Sequence, residues 1–202
     1  MDVLEKSVKA FKNVECKIYN LKLDNNYHFR VKIIPSNLPH LLGLHKLKDI
    51  EILKDLSEKK VAASLIYKKL TNLDLDYSII SKSVYFSKIE DKLKWFYLIE
   101  DLLYNEKIVI FNKKKLKVND GEEGTLIKSN MIFYLVKQKL YIHLCLAKAS
   151  NYYYPETFLV HHGNYYVKKQ VRRKITDRKI TKIEHGKNLK TVAFEEVAAT
   201  RT

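Results

Sequence analysis

The chain has 202 residues, 46% hydrophobic and 30% charged, with 5 Gly and 3 Pro, a balance that excludes collagen-like, low-complexity and disordered polymers. It is long enough to bury a core without disulfide or metal staples. No run approaches the roughly 18 to 20 apolar residues of a membrane span, and the first twelve residues lack a signal peptide's apolar stretch, so a cytoplasmic location and no membrane partner are expected.

The formal charge of +15 draws such a chain towards polyanions. Only five of the 38 basic residues are Arg (positions 30, 172, 173, 178 and 201), leaving 33 Lys, a profile that an AT-rich coding sequence also produces. Position carries more information than total. Residues 168–190 hold ten Lys or Arg against Asp177 and Glu184, a net +8 over 23 residues. Four of the five arginines fall at 172 or beyond, and a guanidinium is the better phosphate fork. This segment reads as nucleic-acid-binding through Lys168, Lys169, Arg172, Arg173, Lys174 and Arg178, with a solvated face as the other reading. Cys16 and Cys145 lie far apart with no Cys-x-x-Cys, so both are expected to be buried free thiols.

In chain order, Val3, Leu4, Val8 and Phe11 predict an amphipathic helix over 3–14. Residues 16–23 and 27–34 alternate with period two around Asp24-Asn25-Asn26 and predict a hairpin. Pro35-Ser36-Asn37 then caps a helix from Leu38 to Lys48, with Pro39 tolerated in its first turn. Helical spacing persists from 49 to about 104, predicting a helical middle layer. After Asn105 come short β-branched and aromatic runs at 108–111, 125–128, 131–136, 140–146 and 158–161, separated by turns at 136–140 and 162–164. They read as a C-terminal antiparallel meander reaching about Val171. The expected organisation is one α+β domain over 1–175, with a basic tail over 176–202.

The densest constellation is His40-Leu-Leu-Gly-Leu-His-Lys-Leu-Lys48. At 100° per residue His45 lies about 140° from His40, so one straight helix cannot aim both imidazoles at a single atom. Either one histidine is structural or Gly43 bends the segment. His161 and His162 alternate to opposite sheet faces, and no carboxylate accompanies them or His143 at ligand spacing, so no metal is expected. No Gly-x-Gly-x-x-Gly, P-loop, Gly-x-Ser-x-Gly or His-Glu-x-x-His occurs, and no cofactor is expected.

The segment from Val31 to Asp49, above all Asn37-Leu-Pro-His-Leu-Leu-Gly-Leu-His-Lys-Leu47, together with Tyr153-Tyr-Pro-Glu-Thr-Phe158, resembles the fourth phage-associated group of Barnase, EndoU, colicin and RelE-like nucleases. The similarity also covers Phe86 to Leu103 and residues 127–170. The resemblance implies an α+β nuclease core of phage or mobile-element origin, acting on RNA in a bacterial host cell without a metal, with a host protein or cognate inhibitor as a further partner.

The chemistry so implied needs a base for the ribose 2′-OH, an acid for the departing 5′-oxygen and cations for the phosphorane. His40 and His45 match the family's motif as acid or base, Lys46 as a transition-state cation, and Thr157 as a donor to phosphate. Lys48 would add charge, and Tyr153 or Tyr154 would stack on a base, unless residues 152–154 simply fill a sheet face. Glu156 ranks lower because a carboxylate beside phosphate is repelled unless paired. The alternative function is a catalytically silent relative that binds nucleic acid or a host protein, acting in host takeover or counter-defence. A third reading makes Leu41, Leu42, Leu44 and Leu47 plain core in an interaction domain.

Overall fold

The computed structural model describes residues 1–116 and 128–183, so most of the strand expected at 125–128, and the tail from 184 on, lie outside the described residues. The chain opens with α1 (Val3–Lys12), capped by the Asp2 carboxylate accepting from the Glu5 N–H, with Leu4, Val8 and Phe11 buried along the expected stripe. β1 (Lys17–Leu23) and β2 (His28–Ile33) form the expected hairpin, in register from Lys17↔Ile33 to Lys22↔His28. Asn26 takes the positive φ that its turn needs.

The middle of the chain is helical as expected, but it is a set of short pieces. α2 (Asn37–Leu42), α3 (Glu51–Ser57), α4 (Ala63–Thr71), α5 (Tyr77–Ile80), α6 (Glu90–Trp95) and α7 (Ile99–Tyr104) are joined by turns and single 3-10 turns. The predicted continuous helix over 38–48 stops at Gly43, whose φ of 79° is left-handed.

The sheet differs from the antiparallel meander. β3 (Lys107–Ile110), β4 (Met131–Lys137), β5 (Leu140–Lys148), β6 (Tyr153–His161) and β7 (Val171–Lys182) join β1 and β2 in one closed barrel, ordered β1-β2-β6-β5-β4-β3-β7. One pairing is parallel, Val31↔Tyr153 between β2 and β6. The turn at 136–140 is a tight hairpin with Gln138 and Lys139 both at positive φ. The expected hairpin at 162–164 does not form. β7 instead crosses away from β6 and pairs with β1 and β3. It runs to Lys182, so residues 176–182, assigned to a tail from their weak periodicity, are the half of β7 that pairs with β1. Because its burial pattern is mostly exposed, this strand is held by ladder hydrogen bonds more than by apolar alternation.

β6 begins five residues earlier than its apolar run suggested. Pro155 is accommodated where the β5–β6 register shifts between Cys145 and Leu146, a place where a missing N–H costs no ladder bond. The main core lies between helices and sheet, where Phe11, Phe96, Phe133 and Phe158 are fully buried. A smaller cluster of Val109, Phe111, Ile132, Cys145 and Val167 covers the other face of β3–β5. Cys145 is a buried free thiol, whereas Cys16 is only half-buried. No helix among the described residues is long and apolar enough to cross a membrane.

Candidate active site

The site grows from a staple at the end of β2. The Asn37 side chain accepts the Ile34 N–H at 2.8 Å and its own N–H bonds the Ile34 carbonyl at 2.9 Å, turning the strand directly into α2. Leu38, Leu41, Leu42, Leu44 and Leu47 are all fully buried, which leaves His40, His45 and Lys46 as the polar remainder of the motif. Gly43 then decides between the two readings of the histidines. Its N–H bonds the His40 carbonyl, the left-handed turn ends α2, and Leu44–Lys46 continue as a 3-10 turn. The bend brings the rings of His40 and His45 to 5.7 Å between centroids at 44°. A straight helix would have separated them.

The missing side chain at Gly43 has a second consequence. A Cβ there would meet Cγ2 of Ile89 at 3.1 Å and Cδ and Cε of Lys92 at 3.5 and 3.7 Å. The Lys92 stem therefore runs along Gly43, and its ammonium ends 3.4 Å from the Thr157 hydroxyl on β6. Lys92 is 7% exposed, and no carboxylate pairs with it among the described residues. Burial, with repulsion from Lys46 behind it, pushes its pKa down to about 8.

The same positive surroundings act on the imidazoles. Burial, then His40, Lys92, Lys46 and Lys48, push His45 down to about 4, and its Nδ1 is buried without a hydrogen-bond partner. Partial burial of the ring also lowers His40, although the residue as a whole is exposed, and burial with Lys88 lowers Lys46. Two carboxylates beside the motif residues in sequence, Glu156 next to Thr157 and Asp49 next to Lys48, are engaged elsewhere. Glu156 accepts from the Ser129 hydroxyl and the Lys128 N–H, and Asp49 from the Ser83 hydroxyl and the Val84 N–H. Two neutral imidazoles and several ammonium groups converge with no carboxylate paired to them among the described residues, an arrangement an anion would complete.

Residues 4–193 match the family model described as phage-Barnase-EndoU-ColicinE5/D-RelE like nuclease4. The chain belongs to this phage-associated nuclease family. Comparison with curated proteins and with solved structures returned no match.

Within this family member the structure brings His40, His45, Lys46 and Thr157 to one locality, joined by Lys92 and, electrostatically, Lys48. It does not bring the arginine-rich segment there. α2 and α6 pack on β6, whereas β7 sits between β1 and β3, three interstrand steps from β6 by the shorter route. Lys168 and Lys169 are exposed in the turn before β7, and Arg172 is exposed on it. Arg173 faces Asp24 at 3.8 Å and Lys174 faces Glu106 at 3.2 Å. Arg178 donates to the Asn105 carbonyl at 3.0 Å and lies 5.4 Å from the Tyr104 ring centroid, so it serves the fold.

Tyr153 is corrected from a base-stacking role to a core one. It is 6% exposed, its ring meets Phe29 edge-on, and its hydroxyl is shared with Tyr27 at 3.2 Å. Tyr154, its outward neighbour, remains exposed.

His143 is fully buried beside Tyr141 and Tyr166. Burial pushes it down to about 4, although the Leu159 backbone offsets part of that cost. Among the described residues no three His, Cys, Asp or Glu side chains gather as a metal set. An apolar concavity of about 250 Å³ between α1 and the α4–α5 turn includes neither His40 nor His45.

Sequence reasoning missed Lys92. Its immediate neighbours, Glu90, Asp91 and Lys94, disguise it as part of a solvated face. The available signal was helical spacing, since Ile89, Lys92, Phe96 and Ile99 follow a 3-4-3 rhythm that puts a lysine in an apolar stripe.

Proposed function

We propose that the chain is an endoribonuclease that needs no metal, cleaving RNA by attack of a ribose 2′-OH on the adjacent phosphate. The observation that carries this reading is the convergence of two neutral imidazoles with a buried, unpaired ammonium. His40, neutral near pH 7 and exposed, takes the 2′-OH proton. The 2′-oxygen bonds to phosphorus, the bond from phosphorus to the 5′-oxygen breaks, and the products are a 2′,3′-cyclic phosphate and a 5′-hydroxyl. Lys92, steadied by Thr157, offers its charge to the non-bridging oxygens, with Lys46 beside it, and is the charged proton source for the leaving oxygen. His45, held neutral, contributes a ring N–H or lone pair to the same phosphate.

Two-metal chemistry would need several carboxylates, and here Asp49 and Glu156 are already bound by hydroxyl and backbone donors. The test is end-labelled RNA incubated with wild type, His40→Ala and His45→Ala in EDTA. Fragments from wild type, lost in a folded His40→Ala variant, are expected. Cleavage that EDTA abolishes, or that survives both substitutions, would overturn the reading.

A further inference from the structure

A second row of basic residues runs across β1 and β2, outside the six that the composition singled out, and meets the second half of β7. Along β1 the side chains of Tyr19, Leu21 and Leu23 are buried, and along β2 those of Phe29, Val31 and Ile33 are. Alternation therefore turns Ile18, Asn20 and Lys22, and His28, Arg30 and Lys32, to the opposite, solvent face. The registers line these up with β7 in rows: Arg30, Asn20 and Lys179 in one, His28, Lys22 and Asp177 in the next, and Lys32, Ile18 and Thr181 in a third. A shallow concavity of about 230 Å³ opens over the first two rows.

We propose that this face of β1, β2 and the second half of β7 is the track on which single-stranded RNA lies on its way to the His40 site, a reading that rests on the proposed ribonuclease function. Three observations support it. Three of the track's lysines, Lys22, Lys32 and Lys179, make no ion pair among the described residues, and the single carboxylate in the rows, Asp177, accepts the Arg178 N–H at 2.8 Å. By contrast, Arg173 and Lys174 are matched by Asp24 and Glu106.

The cations also lead into aromatic rings. The Lys32 ammonium lies 5.6 Å from the Tyr152 ring centroid, and Tyr154 is exposed two residues on, on the strand that β2 meets at Val31↔Tyr153. Cations that follow a backbone, with rings on which bases stack, are what a single strand requires and an acidic protein does not. Finally, the track is covalently continuous with the site, because β2 passes through Pro35 and Asn37 straight into the helix that carries His40, and β6 leads from Tyr154 to Thr157.

The experiment measures binding of a fluorescent, fully 2′-O-methylated oligonucleotide by anisotropy over a range of salt. This analogue keeps every phosphate but cannot be cut. The variants are Lys22→Gln/Arg30→Gln/Lys179→Gln on the track and Arg172→Gln/Arg173→Gln/Lys174→Gln on the other half of β7, with circular dichroism as the check on folding. Removing three phosphate contacts from a single strand should flatten the slope of log affinity against log salt by about 2, which is roughly a 100-fold loss at 0.1 M salt. Lys179→Gln alone, an exposed position, should flatten it by about 0.7 and keeps the test valid should the triple variant misfold. The β7 triple should lose less than the track triple. An unchanged slope in Lys179→Gln and the track triple, or a greater loss in the β7 triple, overturns the track. Because the probe is uncleavable, absence of cleavage on ordinary RNA would count against the nuclease reading alone.

Discussion

Replacing Lys92 with Met should make the protein more stable and abolish its activity, and the size of the first effect follows from the structure. Met keeps the length and the apolar stem beside Gly43 and removes the charge. A pKa lowered from the ordinary 10.5 to about 8 means that holding the proton in the fold costs about 3 kcal/mol, at about 1.4 kcal/mol per tenfold. Loss of the hydrogen bond to Thr157 returns about 1 kcal/mol of that. The variant should therefore gain about 2 kcal/mol at pH 7, or roughly 4–8 °C in Tm for a chain of this size. The pH dependence separates this cause from better packing. Between pH 8 and 10.5 the unfolded chain binds the proton that the folded lysine has released, so wild-type stability climbs with pH across that window. The Met variant lacks that climb, and the gap between the two should close by about pH 10.5. Urea melts of both proteins at pH 7, 9 and 10.5 measure it. A variant less stable than wild type, or a gap independent of pH, would show that Lys92 is not a strained, unpaired cation.

Other consequences are as direct. Gly43→Ala forces a left-handed φ on a residue with a Cβ and presses it against Ile89 and Lys92. It should cost about 1–2 kcal/mol in a urea melt and lose RNA cleavage by parting His40 from His45. The kcat/KM profile should be bell-shaped, with an acid limb below the ordinary 6.5 of histidine, from His40, and an alkaline limb near 8, from Lys92. In Lys92→Arg the alkaline limb should disappear from the measurable range, and a limb that stays at 8 would assign it to another group. For His143, held down to about 4, the unfolded chain binds the extra proton as pH falls from 6.5, so about 3 kcal/mol of stability should be lost by pH 4. His143→Leu should flatten that part of the stability curve.

What the sequence made legible follows period and punctuation. The α1 stripe, the β1–β2 hairpin and the β4–β5 turn were readable because apolar spacing and turn residues agreed. β7 was not, because a strand with both edges paired and mostly exposed side chains has no alternation to read. Closure of the barrel depends on that strand and on the single parallel contact at Val31↔Tyr153, both long-range pairings that no local pattern encodes. At the site, His40, His45, Lys46 and Thr157 came from motif resemblance, while their meeting depended on one dihedral, at Gly43. Lys92 belongs to the site because of a neighbour's missing side chain, a relation that spacing along one helix only hints at.

The most direct test of the central claim uses an oligonucleotide that is 2′-O-methylated throughout except at one ribose, incubated with the protein in EDTA and analysed by mass spectrometry. The account predicts a single cut, 3′ of that ribose, leaving a 2′,3′-cyclic phosphate on one product and a 5′-hydroxyl on the other. Cutting at methylated positions, or products bearing 5′-phosphates, would contradict it.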